Sequence, residues 1–145
     1  MASLTAANSI ITFSQATLFP NGFQLQQFGP DDVTDIETAK ILEHVMGVDG
    51  VLSFGFVWAE RMQEVTLQGN SPSNSFFDQI NTQQEAVQDV YPLNGVVILP
   101  AIGLQFNLIN GGLESYKPMP QVQKIIRPRK YRIVWNRVVP QPVNG

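Results

Sequence analysis

The chain has 145 residues, enough to bury one core and few enough to expect a single domain over residues 1–145. Apolar residues make up 43%, a composition that does not suggest disorder, and charged residues only 14%, against roughly 25% in ordinary soluble domains; with no cysteine, a disulfide framework and a thiolate metal site are excluded. The net charge of −3 is split unevenly: residues 1–116 carry twelve acidic and two basic side chains, residues 117–145 seven basic and no acidic ones.

The opening "MASLTAANSIITF" has no basic leader ahead of its apolar residues, so a secretory signal is not expected. Its "SIITF", Ser9–Phe13, reads as a short strand. Turn chemistry at Pro20–Gly22 precedes "FQLQQF", in which Phe23 and Leu25 share a side, and "GPDD" at Gly29–Asp32 punctuates the chain again. In "DIETAKILEHVMG" the residues Ile36, Ala39, Leu42 and Val45 fit a helical stripe while the flanking segments argue for sheet; periodicity favours helix. "GVDG", Gly47–Gly50, turns into "VLSFGFVW", where Leu52, Phe54, Phe56 and Trp58 line one face of a strand. "AER", Ala59–Arg61, then reads as a hairpin tip leading into "EVTLQ".

Next comes "GNSPSNSFFDQI". Ser71 is placed to cap a helix, with Ser73 as the alternative, and Pro72 falls at a first helical position, where its missing N–H costs nothing. Phe76, Phe77 and Ile80 give that helix one apolar face. Beyond it, "VVILPAIGL" is the longest apolar run; at nine residues, with Pro100 inside it, it falls far short of the roughly 20 that span a bilayer. The chain is therefore expected to be soluble, with no membrane partner. "AIGLQFNLI" alternates cleanly, with Ile102, Leu104, Phe106 and Leu108 on one side. "RKYRIVWNRVV" closes the pattern with Tyr131, Ile133 and Trp135 inward. Seven or eight short strands and one helix predict a mainly β domain: two packed antiparallel sheets, a sandwich or barrel, with one short flanking α-helix near residues 72–86.

No residues assemble into a catalytic motif. His44 is the single histidine and lacks the convergent ligands of a metal site. The cluster Asp31, Asp32, Asp35 and Glu37 lacks the alternating ligands and glycine of a calcium loop, and reads as loop solvation or the acidic half of a subunit contact. "NSPSNS" offers no nucleophile elbow, and "GVDGVLSFG" no phosphate loop. A non-enzyme without metal or cofactor is expected. The basic run Arg127, Arg129, Lys130, Arg132 and Arg137 admits three readings: pairing with an acidic surface on a second subunit, a solvated strand, or a nucleic-acid surface with Tyr131 and Trp135 as stacking rings. Alternation sets the aromatics and Lys130 or Arg132 on opposite faces, which favours subunit pairing.

"VTLQGNSPSN" followed by a short helix, together with "MGVDGVLSFG" and the early "LFPNGFQLQQFGPDD", resembles the tail tube proteins of tailed bacteriophages over roughly residues 8–139. The resemblance implies a β domain that self-assembles into stacked hexameric rings, forming a hollow tube for genome delivery into the host. It implies partners in the tape-measure, baseplate and tail-terminator proteins and, in a contractile tail, the sheath. Double-stranded DNA would pass without specific binding, the protein residing in the virion tail after synthesis in the host cytoplasm. A DNA-conducting lumen should be neutral or acidic, because clustered cations would hold phosphates; Glu60 and Glu64 are the candidates for lumen or ring contact. The basic stretch and Asp31, Asp32 and Asp35 are the candidates for subunit interfaces. A baseplate or other tail-associated module that does not polymerise is the alternative, a nucleic-acid-binding β domain the third.

Overall fold

The computed structural model describes residues 9–26, 28, 34–100, 102–116 and 118–142. Nine strands and one helix follow in chain order among them: β1 (Ile10–Gln15), β2 (Phe19–Gln24), β3 (Thr34–Ile36), β4 (Leu42–Met46), β5 (Leu52–Phe56), β6 (Arg61–Leu67), α1 (Asn74–Val87), β7 (Leu93–Leu99), β8 (Leu104–Tyr116) and β9 (Arg129–Pro142). Seven strands form one antiparallel sheet in the order β2-β1-β7-β8-β9-β6-β3, and β4 and β5 form a separate two-stranded sheet. The fold is thus mainly β with two antiparallel sheets and one helix. The larger sheet stays open, with β2 and β3 as its edges.

The core lies between one face of the large sheet and α1. Period-two alternation places Ile11 and Phe13 of β1, Val65 and Leu67 of β6, and Tyr131, Ile133 and Trp135 of β9 on this face, all with no exposed surface. The helix answers with Phe76, Phe77 and Ile80, spaced to share one stripe and equally buried. Phe77 stacks on Tyr131 at 4.1 Å between ring centroids, and Phe13 meets Trp135 at 5.7 Å and Phe76 at 6.1 Å. Gly111 of β8 stands opposite Trp135, and the indole occupies the place a Cβ would take there. The largest core side chain therefore requires a glycine on its neighbour.

Several expectations change. Residues 34–36 and 42–46 are strands rather than a helix: Thr34–Ile36 pairs with Val65–Gln63, and Leu42–Met46 with Phe56–Leu52. One strand partner for each, β6 for β3 and β5 for β4, supplies backbone bonds that a helix would have made within the segment. Ile102 sits in the tight turn before β8 and is half exposed, whereas Leu108 is buried as expected. The helix begins at Asn74, so Pro72 precedes it by two residues instead of opening it. Of Leu52, Phe54, Phe56 and Trp58, read as one strand face, the first three do share one and that face is open to solvent, while Trp58 lies beyond the end of β5.

Candidate functional site

The "SPSN" corner is built to hold three segments together. Ser71 Oγ donates to Gln26 O, and Ser73 Oγ accepts Gln26 N–H at 2.7 Å, so both serines grip the segment that follows β2. Ser71 Oγ also accepts the Ser73 N–H at 3.2 Å. Neither serine side chain caps α1; Ser73 occupies the N-cap position without a side-chain cap bond. Successive i+3 bonds from Asn74, Ser75 and Phe76 to Ser71, Pro72 and Ser73 carry the backbone into the helix instead. Asn74 then donates to Gln68 O at 3.0 Å and accepts the Tyr131 hydroxyl at 2.7 Å. These serines and asparagine are almost fully buried and their hydrogen bonds are internal, so the corner is a structural joint with no free nucleophile.

Arg129 extends the joint. Alternation along β9 puts it on the same face as Tyr131, not on the outward stripe with Lys130 and Arg132; it is 5% exposed. Its guanidinium binds both oxygens of Asp78 on α1, the shorter contact 2.9 Å, and lies 5.4 Å from the Tyr131 ring centroid. Burial works against the Arg129 charge, yet the hydrogen bond and charge of Asp78 hold its pKa above the ordinary value. Burial pushes the Tyr131 hydroxyl far above the usual tyrosine range and, more mildly, raises that of Tyr116, to which the Asp78 charge adds. A second buried chain runs from Trp135 Nε1–H to Gln63 Oε1 at 2.8 Å, from Gln63 Nε2 to Thr34 Oγ1 at 2.8 Å, and from the Thr34 hydroxyl to Glu64 O at 2.9 Å.

On the outward face, Lys130 reaches Glu64 at 3.6 Å and Arg132 reaches Glu37 at 2.8 Å. At Arg129, Lys130 and Arg132 the basic block therefore meets the acidic block within the chain. Asp35 is exposed opposite Glu64, while Asp31 and Asp32 lie outside the described residues. Arg127 is exposed and donates twice to Gln123 Oε1, Arg137 is exposed beside Ile109, and Glu60 is exposed in the loop after β5. Among the described residues no group of three or more histidine, cysteine, aspartate or glutamate side chains could hold a metal, and α1 is neither long nor apolar enough to cross a membrane.

Two apolar surfaces stand out instead. In the β4–β5 hairpin the direct pairs Leu42–Phe56, His44–Phe54 and Met46–Leu52 put six side chains on one face, with Glu43, Val45, Ser53 and Gly55 on the other. That face is open: Phe54 is 65%, Phe56 68% and Met46 62% exposed. Trp58, 83% exposed, packs edge-on against Phe56 at 4.9 Å. The second surface is concave. Beyond the reach of α1, a groove of about 810 Å³ opens on the core face between Ile36, Ile41, Val97, Leu99, Phe106 and Val138. The sequence shows the apolar face of the hairpin but not its exposure, because alternation marks a face without naming what covers it.

Residues 2–139 match the family model described as tail fiber protein gp32. No curated protein sequence matches the chain. Among solved structures, a chain of an extracellular contractile injection system, the PVC sheath–tube complex in its extended state, superposes with a TM-score of 0.67 at 12% identity, covering 97% of this chain and 93% of that one. A chain of the anti-feeding prophage cap, the AFP tube-terminating cap, gives 0.64 at 12% identity over 99% and 93%. A chain of the six-fold symmetrised anti-feeding prophage baseplate gives 0.57 at 12% identity over 100% of each.

Proposed function

The chain belongs to the family described as tail fiber protein gp32, and from that premise we propose that it is a structural, non-enzymatic subunit of a phage tail that assembles with copies of itself into stacked hexameric rings. The rings form the tube through which the genome passes into the host. The observation that carries this reading is the β4–β5 hairpin. An isolated two-stranded hairpin is marginal in water, and one with an uncovered face of Leu42, Met46, Leu52, Phe54 and Phe56 belongs against another chain. The fold likeness to chains from a sheath–tube complex, a tube-terminating cap and a six-fold baseplate supports the same reading. So does the outward face of the large sheet near Glu64, Lys130 and Arg132, whose charges neutralise one another; such a surface would let DNA slide without binding it.

Sheath, tape-measure, baseplate and terminator proteins are the partners this role calls for, with the virion tail as its place. Negative-stain microscopy of concentrated purified protein is expected to show rings or tubes; a protein that sediments as a monomer at every salt and concentration would defeat the reading. A second reading is a cap or baseplate ring that does not stack, favoured by the cap and baseplate chains that share the fold. It is told apart by a closed oligomer of fixed mass that never lengthens with concentration.

A further inference from the structure

We infer that the surface receiving the β4–β5 hairpin of a second copy is the loop between β8 and β9, residues 118–128. This rests on the self-assembly reading and names the contact that carries it. Residues 41–60 contain Asp49, Glu60 and Glu43, the last paired with Lys40, and no lysine or arginine, whereas residues 118–128 contain Lys124 and Arg127 and no acid. Arg129, Lys130 and Arg132 are already paired inside the chain, so among the described residues from 118 onward the cations outside ion pairs are Lys124, Arg127 and Arg137. No ion pair among the described residues engages Lys124, Arg127, Asp49 or Glu60.

The loop is also apolar in the way the hairpin is. Met119 is 65%, Val122 64%, Ile125 76% and Ile126 49% exposed. Ile125, Ile126 and Arg127 form one wall of a cleft of about 520 Å³ whose other wall is Gln68, Gly69 and Asn70. Gly69 faces Ile126 and the Arg127 carbonyl so closely that a side chain would collide, which seats the loop firmly beside the "SPSN" joint. An acidic apolar projection and a basic apolar cleft on one chain are complementary. The contact joins two different patches, so it is heterologous: repeated from copy to copy, it closes into rings or extends along an axis. Opposite charges at its rim would set register and speed of encounter more than affinity.

The native chain has no cysteine, so engineered pairs report contacts cleanly. Oxidised Met46→Cys/Val122→Cys protein is expected to run as a ladder of covalent oligomers on denaturing gels, while Met46→Cys/Leu99→Cys, aimed at the apolar groove, stays monomeric. The reverse pattern, with particles intact by microscopy, overturns this contact and leaves self-assembly standing. Wild-type protein that forms no particle at all defeats the assembly reading itself, and this contact with it. Charge exchange gives a second arm. Asp49→Lys/Glu60→Lys and Lys124→Glu/Arg127→Glu are each expected to raise the concentration needed for assembly by about tenfold, roughly the effect of 1.4 kcal/mol. Combining all four should restore it; full restoration failing while both parents melt like wild type overturns the pairing. All four side chains are exposed, so thermal melting should not change.

Discussion

The α1 side of the large sheet and the β4–β5 hairpin are written in the same code and meet opposite fates. Both alternate large apolar residues with small or polar ones, yet Tyr131, Ile133 and Trp135 are wholly buried while Phe54 and Phe56 are about two-thirds exposed. The difference lies in what each strand has beside it. The β9 face has a helix of matching stripe, fixed at its start by Ser71, Ser73 and Asn74 and along its length by Arg129 and Asp78. The hairpin pairs only with itself. One apolar face is thus consumed in folding and the other is open to solvent; if the proposed assembly uses it, substitutions should separate the two: core changes should cost stability, hairpin changes should cost assembly.

The largest loss of stability is expected from Trp135→Ala. It empties the space that Gly111 leaves open and strands the Gln63 amide, costing about 3–5 kcal/mol by the usual range for large aromatic truncations. Denaturant unfolding of the variant is the check, and a loss under 1 kcal/mol would mean that Trp135 does not anchor the core. Asn74→Ala follows. It leaves the buried Tyr131 hydroxyl without its acceptor, at about 1–3 kcal/mol for an unsatisfied buried group, and takes one of two donors from the Gln68 carbonyl, which keeps the Ser71 N–H. Ser71→Ala, which removes one of two serines holding Gln26, should cost less than Asn74→Ala in the same assay.

How far the sequence could be read follows the same division. The turn-rich alternation of β1, β6, β8 and β9 and the stripe Phe76, Phe77, Ile80 were legible because local period and tertiary cover agree there. Residues 34–46 were not, since Ile36, Ala39, Leu42 and Val45 fit a helical stripe and only pairing with β6 and β5 overrules it. Arg129 was named with the other cations as an interface candidate because it stands in a run of them; its parity with Tyr131 was the available signal that it points inward. The acidic partners Asp78, Glu64 and Glu37 lie 51, 66 and 95 residues away from their cations in sequence, and separations of that kind carry no local mark. At "SPSN" Ser73 stands at the N-cap position but its side chain bonds Gln26, which the sequence does not show, because a buried serine next to a helix start has the same signature whether it binds its own helix or a distant segment.

A smaller effect should appear at alkaline pH. Because burial raises the Tyr131 pKa in the folded chain, the native state keeps its phenol proton where the unfolded chain, titrating near 10, has released it. The stability this contributes is full below pH 10 and is lost as pH rises through the unfolded and then the folded value, at about 1.4 kcal/mol per pH unit for one group. Tyr116 is shifted the same way and adds a lesser share. Unfolding free energies measured at pH 9, 10 and 11 should fall across this window, and Tyr131→Phe should flatten the slope while lowering stability at pH 7 through loss of the Asn74 bond. An equally steep slope in the phenylalanine variant would assign the effect elsewhere.

The smallest effect on folding and the most pointed for function belongs to Phe54→Ser. Phe54 stands opposite His44 on the hairpin face and is 65% exposed, so truncation leaves no cavity in the lone chain. Surface changes of that kind usually stay within about 0.5 kcal/mol, and the melting temperature should barely move. In an assembled tube the same ring would be buried, and losing an aromatic anchor at the centre of an interface commonly costs about 2 kcal/mol or more. The concentration needed for assembly should then rise by about thirtyfold, read by sedimentation against the wild type. If Phe54→Ser instead unfolds the monomer, the hairpin is covered by its own chain and the division between the two faces fails. If the variant both melts and assembles normally, the hairpin face is not what joins the copies.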